Sequence, residues 1–384
     1  MAFDFNSVGR LHFGCGELRS LGALVKGIGS RFLIVSDGRI EAQREPKRLI
    51  ERELTALGAR YAHFEGVYGE PDPDTVAAAL EAAQEFGCDA VLSIGGGSVI
   101  DTGKAIAGLV TNGGPIVEYL EGVGNGRQLT AEPVPHIALP TTSGTGAEVT
   151  KNAVITSVKQ GYKKSFRHEK LMARLVIVDP ELTVSLPPAQ TAASGMDALT
   201  QCIESYITKK ANPITDSMAL GGIELAASHL EIAYEQGDNI AAREGMAAAS
   251  VMSGLCLANS GLGAVHGIAA SLGAHYPIGH GLACAILLPH VMRLNLPAAT
   301  AKLGRVGVAL TGRNAGEASQ NAEAGASFVE SLAVRIGIPK NLKAFNIPPE
   351  ALPILARDSA GSSMSGNPAP LDDRAVEELL RALI

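Results

Sequence analysis

The chain has 384 residues, 46% of them hydrophobic and 18% charged, with a formal net charge of -7. That length exceeds what one hydrophobic core ordinarily serves, so two domains are expected. A mildly acidic chain without a basic run has no electrostatic footprint for nucleic acid or an anionic membrane, and neither is expected as a partner.

The first six residues, Met1-Ala2-Phe3-Asp4-Phe5-Asn6, lack the basic-then-apolar pattern of a signal peptide. Cys15, Cys88, Cys202, Cys256 and Cys284 are odd in number and scattered without a paired motif. Most of them read as small core residues of a cytoplasmic protein. Apolar runs at 31–36, 90–94, 136–139 and 175–178 have strand length, and helix-like segments at 42–57 and 74–86 lie between the first two. This alternation predicts a mostly parallel sheet covered by helices. Beyond residue 188 only helical patterns appear, near 189–208, 214–229, 239–258, 265–274, 281–294, 315–337 and 372–383, with a long loop at 359–370. The expected organisation is an α/β dinucleotide-binding domain over 1–187 and an all-helical metal and catalytic domain over 188–384. The most apolar stretch, 254–292, is broken by His266, His275, Pro277 and His280, which predicts buried helices and not a membrane span.

Gly95-Gly96-Gly97-Ser98 follows a predicted strand and opens a predicted helix. Glycines there let backbone N–H groups approach a pyrophosphate, and a helix N-terminus adds partial positive charge. Ser98 is the expected N-cap, with Asp101 completing a capping box. The spacing matches neither a P-loop nor the standard Rossmann fingerprint. The carboxylate for an adenine ribose is instead Asp37, at the end of the 31–36 run. It would bond a 2′-hydroxyl and repel a 2′-phosphate, favouring NAD. A second polar loop, 140–148, follows another strand end and is expected to bind the cofactor's sugar and phosphates.

Asp197, His266 and His280 stand in an apolar setting in a chain with only nine histidines. Asp, His and His with an open position are the ingredients of a catalytic metal site. Gln201, four residues after Asp197, projects from the same helix face.

With these motifs in place, the chain resembles the iron-containing (group III) alcohol dehydrogenases of the dehydroquinate synthase-like superfamily. The resemblance runs through Gly9-Arg10-Leu11-His12-Phe13-Gly14, 95–104, 140–150, 178–183, 195–200, Val265-His266-Gly267, His280-Gly281 and 287–292. It implies a dehydroquinate synthase-like fold with the active site in a cleft. It implies an NAD(H)-dependent alcohol dehydrogenase or aldehyde reductase acting on a small alcohol or aldehyde, and a homodimer is an open expectation. Carried over by position, Asp37, Gly96, Gly97, Ser98, Thr141, Thr142, Asn152, Lys163 and Leu182 line the NAD site. Asp197, His266 and His280 bind one divalent metal, zinc or iron.

Two positions depart from the family. Gln201 stands where a fourth, histidine ligand is usual, and Ala270 where a proton-relay histidine is usual. A neutral glutamine oxygen is a weaker donor than imidazole, which disfavours iron, while three ligands remain workable for zinc, as in the related glycerol dehydrogenases. Gln201 can ligate weakly, hold a water or point elsewhere. His275 is badly spaced to replace the missing relay. The losses also admit a metal-independent reductase like maleylacetate reductase, or a binding protein without catalysis. A dehydroquinate synthase-like cyclase would need a basic cluster for a substrate phosphate, which the sequence lacks near the proposed ligands.

Overall fold

Six short strands of the first half form one all-parallel sheet, in the order β1-β8-β5-β4-β2-β3. The structure, a computed structural model, describes residues 2–38 and 44–384. In chain order the elements of this half are β1 (Leu11–Phe13), α1 (Leu21–Val25), β2 (Arg31–Val35), α2 (Arg44–Ala56), β3 (Arg60–Phe64), α3 (Pro73–Phe86), β4 (Ala90–Gly95) and α4 (Gly97–Asn112). Then come β5 (His136–Pro140), β6 (Asn152–Ser157), β7 (Tyr162–Arg167) and β8 (Leu175–Val178). The four predicted strands are β2, β4, β5 and β8. β4, β5 and β8 are buried along their whole length, as continuous apolar runs in a doubly covered parallel sheet should be. The first predicted helix, 42–57, is seen from residue 44, its first two positions lying outside the described residues.

The chain runs from β2 outward to β3, then returns to place β4 on the opposite side of β2. That reversal is the topological switch point, where ligands bind beyond the carboxyl ends of the strands. Asp37 follows β2, and the glycines at 95–97 close β4, its hydrogen-bonded neighbour. Packing of α4 onto the sheet is tight. A Cβ on Gly103 would fall 1.8 Å from Ser93 Oγ and 2.9 Å from His136 Nε2.

The start of α4 corrects the expected capping box. Its N-cap is Gly96, with φ -76° and ψ -174° and no side-chain cap, and Ser98 lies inside the first turn. Asp101 turns inward, its Oδ2 accepting from Val154 N–H at 2.9 Å and its Oδ1 lying 3.1 Å from Lys104 Nζ. With Gly96 at the cap, Asp101 falls five residues on, beyond capping reach, and its carboxylate serves the buried Lys104 ammonium, which is costly to leave unpaired. Lys104 Nζ also donates to Thr150 Oγ1 at 3.0 Å and to the Asn152 carbonyl at 2.5 Å, pinning β6 onto α4.

A second compact unit comprises Leu186–Ile384 with Ser143–Gly146 and the N-terminal residues as far as Phe5, while Asn6–Thr142 and Ala147–Ser185 make up the first. Its helices are α5 (Pro188–Ile207), α6 (Pro213–Glu235), α7 (Ile240–Ser260), α8 (Ala264–His275), α9 (His280–Thr311), α10 (Ala318–Arg335), α11 (Leu352–Asp358), α12 (Ser362–Gly366) and α13 (Asp373–Leu383). The predicted 281–294 helix extends through Pro297 because the break is local, only Ala299 leaving helical geometry at φ -137°. α9 is long and apolar enough to cross a membrane, but Ala283, Leu287, Leu288 and Val291 are buried in the helical core. Among the described residues no strand follows β8. The expected loop 359–370 contains the short α12, and the seven-residue α11, with Pro353 in its first turn, is a helix that the sequence reading did not predict.

Glu148, in the first unit, is fully enclosed, and burial pushes its carboxyl up to about 7, against its backbone hydrogen bond and the pull of Lys104. The native state then binds a proton that the unfolded chain has released. Stability should therefore fall as pH rises from about 4.5 to about 7, by up to a few kcal/mol, and level off above. Denaturant midpoints across this range should show that slope in the wild type, and Glu148→Gln should flatten it.

Candidate functional site

Three helices of the second unit supply one cluster. α5 carries Asp197, Gln201 and Glu204 at i, i+4 and i+7, on one face of a helix. α8 carries His266 in its first turn, and α9 begins at His280 and brings Cys284 one turn later. Donor atoms of Asp197, His266, His280 and Cys284 all lie within 4.8 Å of one another. His266 Nε2 is 3.2 Å from Asp197 Oδ1, and His280 Nε2 is 3.9 Å from the same oxygen. Ligand nitrogens and oxygens around a tetrahedral zinc sit about 3.4 Å apart, so little adjustment is needed to seat an ion.

Glu204 organises this cluster, and the sequence reading missed it. Its Oε2 accepts from His266 Nδ1 at 2.6 Å, leaving Nε2 to face Asp197. Its Oε1 accepts from Val265 N–H at 2.7 Å, at the N-terminus of α8. One buried carboxylate therefore fixes the imidazole's tautomer and supports the helix that carries it. The only signal was the spacing of seven from Asp197, which a buried glutamate shares with many structural ones.

The electrostatics also suit a cation. Burial opposes charge on His266, but Cys284, Asp197 and Glu204 outweigh it and hold the imidazole well above its usual pKa. Burial would raise Asp197, yet His280 and His266 pull it below the ordinary carboxylate range. A positive charge is thus favoured between Asp197 and His266. The donor set fits a resident divalent metal.

Gln201 turns its amide to other partners. Its Nε2 donates to the Thr145 carbonyl at 3.1 Å, and its Oε1 accepts from Ser253 Oγ at 3.0 Å. Both ends of the amide are engaged, so of the three readings the geometry supports the one in which it points elsewhere. The partner segment, Ser143–Gly146, packs closely on this unit. A Cβ on Gly144 would meet Ser194 Cβ at 2.7 Å, and one on Gly146, at φ +59°, would meet Gly254 Cα at 2.5 Å. These two loop glycines are explained by packing and not by a cofactor. Ala270 lies one turn from His266 on α8, and His275 Nε2 is held by Asp358 Oδ2 at 2.8 Å.

In the first unit, Asp37, Gly96, Gly97, Ser98, Thr141 and Thr142 gather beyond the carboxyl ends of β2, β4 and β5. Thr141 N–H donates to the Gly95 carbonyl at 2.9 Å, and a Cβ on Gly96 would lie 3.3 Å from Thr142 Cγ2. None of Gly95, Gly96 and Gly97 has positive φ, so what they provide is close access to an uncapped helix end. Leu182 sits in the Pro180–Thr183 turn after β8, whose start is capped by Asp179 accepting from Glu181 N–H at 3.0 Å. Asn152 and Lys163 come from the β6-β7 ribbon. Lys163 Nζ is 3.0 Å from Glu70 Oε2, and the Asn152 carbonyl is taken by Lys104.

Comparison with known proteins gives these two halves a common source. The iron-containing alcohol dehydrogenase family model matches residues 9–180, and the C-terminal model of the Fe-containing alcohol dehydrogenase family matches 191–384. The chain belongs to the iron-containing alcohol dehydrogenase family. It is 34% identical over 377 residues to long-chain-alcohol dehydrogenase 1 of Geobacillus thermodenitrificans, covering 96% of this chain and 94% of that one. It is 35% identical over 349 residues to the NAD-dependent methanol dehydrogenase of Bacillus methanolicus, covering 90% of each. The crystal structure of a 1,3-propanediol oxidoreductase superposes with a TM-score of 0.94 at 31% identity, covering 100% of both chains. The parallel-sheet and helical units are those of the dehydroquinate synthase-like fold expected from the motifs.

The tie from Glu204 to His266 generates a test. Glu204→Gln keeps the shape but weakens the acceptor facing His266 Nδ1, and should lower metal affinity about 10–100-fold. Competition against a chromogenic chelator would measure it. Unchanged affinity would leave Glu204 a helix support only.

Proposed function

We propose that this protein is an NAD(H)-dependent alcohol dehydrogenase, working in reverse as an aldehyde reductase, with one divalent ion held by Asp197, His266 and His280. The observation that carries this reading is the buried Asp-His-His cluster, oriented by Glu204, in a chain of this family. When bound, the ion supplies Lewis-acid polarisation of a substrate oxygen, and NAD supplies the hydride acceptor.

The chain's own residues do the rest. Asp197 and His266 hold their donor atoms buried, at 1% and 6% exposure, where electrostatic interactions are strong. Glu204 keeps the proton of His266 on Nδ1, so that Nε2 is the donating atom. The uncapped N-terminus of α4 would receive pyrophosphate charge, and Asp37 would accept from the adenine ribose while rejecting a 2′-phosphate. With alanine at position 270, α8 offers no imidazole there to move the substrate's proton.

NADH oxidation with a panel of small aldehydes, and NAD reduction with the matching alcohols, should show activity lost on chelation and restored by a divalent ion. His280→Ala should lower kcat/KM by about two orders of magnitude or more. If the metal-free wild type and His280→Ala both reduce aldehydes fully, a metal-independent reduction replaces this reading.

Cofactor choice is separately testable. Asp37→Gly removes the charge facing a 2′-phosphate and should shift preference toward NADP by about ten-fold or more. Wild-type use of NADP equal to that of NAD would refute the role given to Asp37.

A further inference from the structure

We propose that Cys284 is a fourth protein ligand of the ion held by Asp197, His266 and His280, so that this chain builds a thiolate metal centre. The inference rests on the reading that this cluster binds a divalent metal, and it concerns which donors complete it.

Position is the first argument. Cys284 follows His280 by four residues on α9, so both side chains leave the same face of the helix. Cys284 Sγ is 3.8 Å from His280 Nε2, and all four donor atoms fall within 4.8 Å. Around tetrahedral zinc, sulfur and nitrogen ligands sit about 3.5 Å apart, so the thiol needs to move only a few tenths of an ångström relative to His280.

The second argument is that the other place for a fourth donor is taken. Gln201, one turn along α5 from Asp197, spends its amide on the Thr145 carbonyl and on Ser253 Oγ. Among the remaining cysteines of this unit, Cys256 Sγ faces the Thr215 carbonyl at 3.4 Å, and Cys202 packs beneath Gly222. Cys284 alone of these thiols joins the cluster.

Charge and softness are the third. On binding, the Cys284 S–H bond breaks and the second ring proton of His266 leaves Nε2, both protons pass to solvent, and the electron pairs freed on sulfur and Nε2 form bonds to the ion. A thiolate and the Asp197 carboxylate then balance a divalent charge, with His266 and His280 neutral. Thiolate is a soft donor, which moves preference toward zinc or cobalt relative to a site of oxygen and nitrogen alone. Zinc can expand to five-coordination, so a fourth protein donor does not close the centre.

Cobalt and zinc loading of the chelator-stripped full chain tests this without an activity readout. Cobalt-loaded wild type should show a near-ultraviolet thiolate-to-cobalt charge-transfer band beside the visible ligand-field bands. Cys284→Ser should keep the visible bands, lose the charge-transfer band and bind zinc about 10–100-fold more weakly. X-ray absorption of zinc-loaded wild type, which needs no variant, should resolve one sulfur at about 2.3 Å. Ion binding with only nitrogen and oxygen scatterers, or a band that persists in Cys284→Ser, would overturn the thiolate and leave the proposed function standing. Failure of wild type to bind either ion would overturn both.

Discussion

A single enclosed carboxylate, Glu204, holds together the buried cluster of the helical unit. A buried carboxylate is tolerated only where its oxygens find donors, and Glu204 has one for each oxygen from a single helix, Val265 N–H and His266 Nδ1. The α8 backbone and the α8 imidazole are thereby positioned by the same side chain. Asp197 leaves α5 two turns before Glu204, so one member of the cluster and the group that orients another share one rigid rod. His280 and Cys284 arrive on the first turns of α9, whose buried face packs in the same core.

The sheet unit obeys a similar rule with the signs reversed. Lys104 is fully enclosed, and its ammonium gathers Asp101, Thr150 and the Asn152 carbonyl around itself. The N-terminus of α4 is open for a separate reason: its N-cap is Gly96, which has no side chain to offer. That open terminus lies at the switch point of the sheet, where an anionic ligand would make use of it.

Period and punctuation made much of this legible. β2, β4, β5 and β8 are short runs dominated by Val, Ile, Leu, Phe and Ala, and α3 shows its Asp72 cap, Pro73 and closing Gly87 in the sequence. β1, β3, β6 and β7 were missed because they lie at an edge of the sheet or in a two-stranded ribbon, where no apolar run is required, as Arg60-Tyr61-Ala62-His63-Phe64 and Tyr162-Lys163-Lys164-Ser165-Phe166-Arg167 show. Asp197, His266 and His280 were nameable because polar residues stood out in an apolar setting and because motif resemblance pointed to them. Glu204 and Cys284 were not, since a glutamate on a helix and a cysteine among alanines look like surface and core. Only the packing of three helices brings them to the same few ångströms.

The segment Ser143–Gly146 has a further consequence for how the chain is made. It is synthesised some forty residues before the helices it belongs with, inside sequence that otherwise builds the sheet. Its Thr145 carbonyl is the acceptor for Gln201 and its glycines are the surface on which α5 and α7 close. The helical unit is therefore discontinuous in sequence and cannot finish folding from its own contiguous stretch. A fragment beginning at Leu186 would leave the ribosome lacking part of its own interior, while the emerging sheet would hold a short loop in waiting for helices not yet translated.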